Sequence, residues 1–348
     1  MSSQFTATLP SEQPAIAELL QSSFPASSEV NSFLPNVLRW KYFSPYPDWS
    51  GSRSYVVKKD ETIVGHGGIW PLRFGGTDTE FSVIHLIDWA ASRSATGVGV
   101  LLLRKLAGLA DLLLTIGGSD ETQKILPRLG YQQSGGLTLQ VKVVRPWLQY
   151  RTTSEAGWKA PVRLARNTIW SLPPLPPVPK GWNVSKIPSF DSSVESLLNV
   201  RKKDTLTSLR TIAGLNHILS CPAATFAAYV VSEGNQMRGY FVLSQIAGQT
   251  RIVDLRLAVE NPESWRAICV LAAKTAAEIP ETCEIVAGFS TANIQLAFAQ
   301  SGFRPRQTLP IFYYDPRKLL KGIVPALDLS LLDGDGCFMA NLKHPFLT

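Results

Sequence analysis

The stretch Asp88 to Leu103, DWAASRSATGVGVLLL, joins an acidic residue, a small glycine-bearing turn and a leucine-rich run. It reads as a strand entering a turn that opens directly into a helix. Gly97 and Gly99 remove Cβ atoms from that turn, so the backbone can approach a ligand closely. At a helix N-terminus, unpaired N–H groups and the helix dipole favour an anion. Those features suit a pyrophosphate. Glu80, His85 and Asp88, on the strand before the turn, are the candidates for general acid or base chemistry. On a regular strand, alternation puts His85, Ile87 and Trp89 on one face and Leu86 and Asp88 on the other. Only one of His85 and Asp88 would then face an acceptor. Further on, IGGSDET (Ile116 to Thr122) carries two glycines after a strand, and Ser119, a fourth catalytic candidate, stands with Asp120 and Thr122 at the next helix start, where they could line the same site.

The elements that must hold these residues occur twice. LRWKYFSP (Leu38 to Pro45), SYVV (Ser54 to Val57) and VGHGGIWP (Val64 to Pro71) are followed in the second half by LNHILSCP (Leu215 to Pro222), AYVV (Ala228 to Val231) and RGYFVLSQ (Arg238 to Gln245). LIDWAAS and IVDLRLA align on Asp88 and Asp254. An aspartate kept in the copy without the glycine turn favours a structural role for both, and His85, which has no counterpart, reads equally as a packed strand histidine. A helix, a strand, a short helix and a last strand starting near Gly130-Tyr131 or Gly302-Phe303 complete each copy. The β–α–β–α–β part calls for parallel pairing with a right-handed crossover. Ser11 and Asp191 are the expected caps of the first helices. Lys58 to Glu61 and Glu233 to Asn235 are the expected hairpin turns. The order read for each half begins with a helix. Residues 1–144 form one domain, 145–182 a basic, proline-rich linker and 183–348 a second domain.

Charge is concentrated in the linker. The chain carries a net charge of +7, and residues 145–182 hold six Lys or Arg against Glu155 alone. Residues 1–144 balance at twelve and twelve. A nucleic-acid binder spreads such an excess over a domain face, which argues against that class. SLPPLPPVPKGW (Ser171 to Trp182) excludes helix and central strand. Glu155 to Trp170 reads as a basic amphipathic helix with Trp158, Val162, Ala165 and Ile169 near one stripe. Such a helix either packs between the domains or faces a membrane surface or acidic partner.

The strand–turn–helix plan resembles the GCN5-related N-acetyltransferase (GNAT) superfamily, whose turn reads Q/R-x-x-G-x-G/A. Ser94-Ala95-Thr96-Gly97-Val98-Gly99 fits except that Ser94 replaces Gln or Arg. The resemblance covers roughly residues 11–144 and 184–315. It implies an α/β (α+β) fold: two tandem acyl-CoA N-acyltransferase-like domains, each a mixed, mostly antiparallel sheet with helices on both faces. It implies that the turn amides hold the pyrophosphate of acetyl-CoA or another acyl-CoA as co-substrate. Backbone groups at Trp89, Ala90 and Ala91 would hold the pantetheine, on a strand that splays from its neighbour. In many relatives a Tyr on the last short helix acts as acid; Asp120 to Leu129 has none. In the second half, Ala258 to Trp265 has no glycine, and Glu260 and Glu263 would repel phosphate. That copy is expected to bind no coenzyme.

The expected function is acyl transfer to an amine or hydroxyl. A small molecule, an amino sugar or a cell-surface polysaccharide precursor is the acceptor suggested by bacterial tandem members. A non-catalytic binding module and a tRNA-dependent aminoacyl transferase are the alternatives. The N-terminus has no basic start or apolar run of a secretory signal, and Arg104, Lys105 and Asp111 interrupt the most apolar stretch. The four cysteines and four histidines lack metal-site spacing, so no metal is expected, and a cytoplasmic setting with buried thiols is. Two features get structural readings: Trp40-Lys41-Tyr42 as packing, and Asp333-Gly334-Asp335 as a hairpin turn.

Overall fold

The computed structural model describes residues 3–24, 29–153 and 158–348. In each half an edge strand precedes the first helix, so the order read from sequence lacks one element. The first half runs β1 (Ser3–Ala7), α1 (Gln13–Ser23), α2 (Pro35–Tyr42), β2 (Ser54–Lys59), β3 (Thr62–Gly75), β4 (Glu80–Ala91), α3 (Val98–Leu106), β5 (Leu112–Ile116), α4 (Asp120–Ile125) and β6 (Gln132–Val143). Helices α5 (Pro146–Thr152) and α6 (Lys159–Ser171) follow, then an extended proline segment. The second half runs β7 (Trp182–Ile187), α7 (Glu195–Leu198), β8 (Thr205–Ser208), α8 (Ile212–Leu219), β9 (Thr225–Glu233), β10 (Gln236–Ile246), β11 (Gln249–Leu257), α9 (Pro262–Glu278), β12 (Glu284–Phe289), α10 (Ala292–Gln300), β13 (Arg304–Tyr314) and β14 (Ala326–Asp328).

One mixed sheet of fourteen described strands carries both halves, in the order β1-β2-β3-β4-β5-β13-β6-β12-β11-β10-β9-β7, with β8 and β14 off that path. The order is pseudo-symmetric about β13 and β6. Each half lends its last long strand to the other: β13 pairs antiparallel with β5, and β6 pairs antiparallel with β12. A core cluster crosses the halves, from Trp70, Phe74 and Leu137 to Tyr240, Val253 and Phe338.

Local chemistry explains the elements around α3. Gly65 and Gly67 of β3 lie beneath it. A Cβ at Gly65 would come 2.4 Å from the Val98 side chain, and one at Gly67 2.9 Å from that of Leu106. Those bare positions let α3 settle on the sheet with Leu102 and Leu106 fully buried. Each such side chain contributes about 1.5–3 kcal/mol. The β2–β3 turn places Asp60 and Glu61 at positive φ, as a two-residue primed turn requires.

Several expectations need correction. Ser11 lies inside a short 3₁₀ turn, Pro10–Glu12, and does not cap α1; Asp191 does cap, accepting from the Ser193 amide. Asp333-Gly334-Asp335 is no hairpin: two 3₁₀ turns, Leu331–Asp333 and Asp335–Cys337, bury it against both halves. The stripe on α6 does not pack between the halves. Trp158, Val162, Ala165 and Ile169 are exposed, because the polar Asn167 is what α6 turns inward, toward Gln149 and Thr348. Glu155, expected to begin that helix, lies outside the described residues. All four cysteines are buried thiols. Among the described residues no helix is long and apolar enough to cross a membrane.

Candidate functional site

Strands β4 and β5 pair in parallel only at Val83–Leu112, Ile84–Leu113 and His85–Leu114. Beyond His85, β4 continues to Ala91 with β3 alone, so the strands open into a wedge. A bulge sets the opening. Between His66 and Gly68 of β3 the register shifts, and Asp88 and Trp89 together face one residue. Asp88 takes a left-handed φ of 48°, a region Asp tolerates better than most residues. The bulge breaks strand alternation, so both His85 and Asp88 line the resulting cleft of about 450 Å³. Phe33, Trp89, Thr115, Ser119 and Asp335 also line it.

The cleft leads toward α3. The Trp89 indole N–H donates to the Gly99 carbonyl at 3.2 Å, and the ring lies 3.1 Å from where a Gly99 Cβ would stand. Gly97 precedes the helix with φ 81°, and no described side chain caps it. First-turn amides of a helix have no intrahelical acceptors. Here the Val98 amide donates back to the Ala95 carbonyl at 3.3 Å, and the Gly97, Gly99 and Val100 amides have no described acceptor. Ser94, Thr96 and Gly97 are exposed, and a Cβ on Gly97 would meet nothing within 4 Å. The Ser94 hydroxyl bonds the Ser92 hydroxyl at 2.8 Å, which draws the turn tight. Across the wedge, Gly117 and Gly118 have φ of 76° and 94° and bring backbone to the opening of α4. Ser119 caps that helix, accepting from the Thr122 amide at 3.3 Å. The buried Thr115 hydroxyl has no described hydrogen-bond partner. An uncapped helix start, a glycine cradle and an orphaned hydroxyl on one wedge fit an elongated ligand with a phosphate end.

The wall of the cleft is charged. Asp88 forms an ion pair with Lys41 at 2.5 Å and accepts from the Tyr42 hydroxyl. Lys41 is fully buried and also reaches Ser32 at 2.7 Å and Asp335 at 3.5 Å. Burial opposes its charge, but Asp88 and Asp335 outweigh it and raise its pKa. Burial, then Asp88, pushes the Tyr42 hydroxyl well up. Burial raises the pKa of Asp335 against the pull of Lys41, with Asp88 adding to the rise. The reading of Trp40-Lys41-Tyr42 as packing holds for Trp40, which stacks on His217 at 4.8 Å, and for the ring of Tyr42, which packs with Ile16, Leu20 and Phe33. Lys41 is instead the buried partner of Asp88.

Sequence candidates separate in space. His85 is buried and held at both nitrogens: Nδ1 donates to the Asp333 carbonyl at 2.8 Å, and Nε2 accepts from the Ile116 amide at 3.3 Å. Burial lowers its pKa. Glu80 stands at the far end of β4, roughly 26 Å along the strand from Asp88, bonded to Arg73 and Arg201 and outside the cleft. Trp89, Ala90 and Ala91 form the splayed edge, and Ala90 and Ala91 pair with His66 and Gly65. Asp335 was missed as a site residue. Its signal was the acidic pair around Gly334, but nothing local tied that pair to the first half.

The second half shows the same wedge closed. β11 and β12 pair only from Gln249–Glu284 to Ile252–Ala287. The segment from β14 to Asp333 fills the opening: the Ser290 amide donates to the Leu329 carbonyl at 3.0 Å, and Phe289 bridges Ser330. Asp254, the counterpart of Asp88, is fully buried among Arg210 at 3.1 Å, Tyr240 at 2.9 Å and Ser330 at 2.9 Å. Helix α9 is capped by Asn261, which accepts from the Ser264 amide at 2.8 Å. Glu260 pairs with Lys202 at 2.9 Å.

No family model matches the sequence, and no curated protein matches it. Solved structures do match in shape. Saccharomyces cerevisiae N-myristoyltransferase with bound myristoyl-CoA superposes with a TM-score of 0.58 at 13% identity, over 90% of this chain and 83% of that one. A tandem GNAT protein from the clavulanic acid biosynthesis pathway gives 0.56 at 12%, over 90% and 98%. A probable N-acyltransferase from Enterococcus faecalis gives 0.57 at 13%, over 90% and 72%. This is a likeness of fold: the chain has the tandem GNAT fold.

Proposed function

We propose, from a tandem GNAT fold with one wedge open and the other filled, that the chain is an acyl-CoA-dependent acyltransferase whose single coenzyme site lies in the first half. The observation that carries this is the open β4–β5 wedge running to the uncapped start of α3. Amides at Gly97, Gly99 and Val100 would receive the pyrophosphate, with Ser94 and Thr96 at its rim. The free edge of β4 from Trp89 to Ala91 would run beside the pantetheine arm, and the thioester would lie near Asp88 and Thr115.

Two carboxylates around one lysine favour an amine acceptor, which arrives as a cation in water. Lys41 and Tyr42 fix Asp88, so Asp88 positions the acceptor. Asp335 is the base: its raised pKa brings it toward the range where proton transfer from an ammonium is efficient. One ammonium proton passes to Asp335, and the neutral nitrogen forms a C–N bond to the acyl carbon. The C–S bond breaks, and the second proton lost by the nitrogen goes to the leaving sulfur, which departs as the thiol of coenzyme A. Backbone placement of the two reactants supplies the remainder of the rate. An amino sugar or polysaccharide-precursor amine is the acceptor class to assay first.

Isothermal titration with acetyl-CoA, followed by turnover across amine acceptors, tests this. One site per chain and release of free thiol are the expected results. Absence of binding at millimolar coenzyme removes the reading. Binding without turnover on any amine leaves a non-catalytic binding module instead.

A further inference from the structure

Helices α5 and α6 lie against the body through polar side chains. Gln149 and Asn167 are buried and bonded to each other at 2.9 Å, and both reach the Thr348 hydroxyl. Gln149 also approaches the buried Glu284. On a helix of 100° per residue, Trp147 lies about 200° from Gln149, and Trp158, Val162, Ile169 and Leu172 lie about 140–200° from Asn167. Because both helices turn the same bonded pair inward, these residues point away from the body together. Their exposure agrees: Trp147 60%, Trp158 75%, Val162 59%, Ile169 62% and Leu172 71%. Tyr150 stacks on Trp147 at 5.6 Å and adds to the face.

Positive charge flanks this apolar face. Three guanidiniums surround one indole: Arg166, Arg304 and Arg306 stand 4.6, 5.1 and 5.3 Å from the Trp170 ring centroid. None of the three, nor Arg151 or Lys159, forms a salt bridge to a described carboxylate. Desolvation, then Arg306, lowers the Arg166 pKa, so the cluster is crowded with like charge. Such crowding is relieved by an external anion. A lone apolar face would suit a second copy of the chain, but five cations around it without a described carboxylate partner would repel their own kind. Arg166 and Arg306 meet only neutral oxygens, of Asn167 and Leu347. An apolar, tryptophan-bearing face with a basic margin is what an interfacial helix presents to acidic headgroups.

We propose that the outer face of α5 and α6 docks on an anionic bilayer surface, with the Trp170 cluster on lipid phosphates and Trp147, Trp158 and Ile169 in the headgroup layer. The face does not border the coenzyme wedge, so this inference stands or falls apart from the acyltransferase reading.

Sedimentation of the full chain with phosphatidylcholine vesicles, with or without phosphatidylglycerol, tests it. The chain should bind the phosphatidylglycerol vesicles, lose that binding in high salt, and show blue-shifted tryptophan emission. Val162→Glu/Ile169→Glu and Arg304→Glu/Arg306→Glu should each weaken binding at least about tenfold. Both pairs are exposed, so melting temperature and acetyl-CoA affinity should stay unchanged. No binding to the phosphatidylglycerol vesicles, or binding that both double variants retain, overturns the proposal. So does a chain dimer dissolved by Val162→Glu/Ile169→Glu, which makes a second copy the occupant. Tighter binding to RNA than to vesicles overturns it in favour of nucleic acid.

Discussion

The wedge between β4 and β5 and the wedge between β11 and β12 start from the same design and end differently. Both strands bulge beside an aspartate, and both pairings stop after a few residues. In the first, Asp88 keeps a lysine and a tyrosine and faces a cleft. In the second, Asp254 takes an arginine, a tyrosine and a serine, and the chain itself occupies the opening. The helix after each wedge follows suit: α3 starts on a bare glycine, α9 on a capping asparagine beside two glutamates. A splayed pair of strands is thus a cavity that must hold something. Where no ligand serves, a folded segment does. The same segment then runs on to place Asp335 in the lining of the open wedge, so the chain that fills one wedge also walls the other.

The comparison breaks first at Arg210. It bonds Asp254 at 3.1 Å and Asp333 at 2.6 Å, all three buried. Arg210→Ala strands two carboxylates and should cost about 3–5 kcal/mol, read by denaturant unfolding. A loss under about 1 kcal/mol would mean that packing alone holds the plug. Next is Asp335→Asn, which should lower turnover by about a hundredfold or more while leaving acetyl-CoA affinity intact. A base works deprotonated, so wild-type activity should fall as pH drops through the raised pKa of Asp335. That limb should vanish in the variant, and an unchanged limb would assign the base elsewhere.

Gly97 sharpens the difference between helix starts. Asn and Asp both tolerate its left-handed φ, so Gly97→Asn against Gly97→Asp isolates charge. The Asp variant should bind acetyl-CoA on the order of a hundredfold more weakly than the Asn variant, or about 2.7 kcal/mol. Asn261→Ala, in the other half, should leave affinity unchanged. The smallest effect is expected at His85. His85→Phe leaves the Asp333 carbonyl and the Ile116 amide unpaired, at about 1–3 kcal/mol of stability. Loss of turnover with full stability would instead make His85 a chemical participant.

The duplicated plan and the glycine turn were legible because both are local. Gly97 and Gly99 announce a close backbone approach, and apolar runs announce strands, whatever their neighbours. The strand exchange was not. Gln132–Val143 and Arg304–Tyr314 carry similar patterns at equivalent places, so nothing in either states which half it will join. The bulge at Asp88 was hidden for a related reason: alternation assumes a regular strand, and one left-handed residue cancels it. Asp335 was hidden because its partner Lys41 lies at the other end of the chain. The inward side of α6 misled, since an apolar stripe is usually the buried one, and here Asn167 and Gln149 form a polar anchor instead.

Hydrogen exchange with and without coenzyme A tests the central claim, that one wedge holds ligand and the other holds protein. The account predicts ligand-dependent protection at residues 92–101 and 115–122 and none at 258–265. Protection at 258–265, or none in the first half at saturating coenzyme, would contradict it.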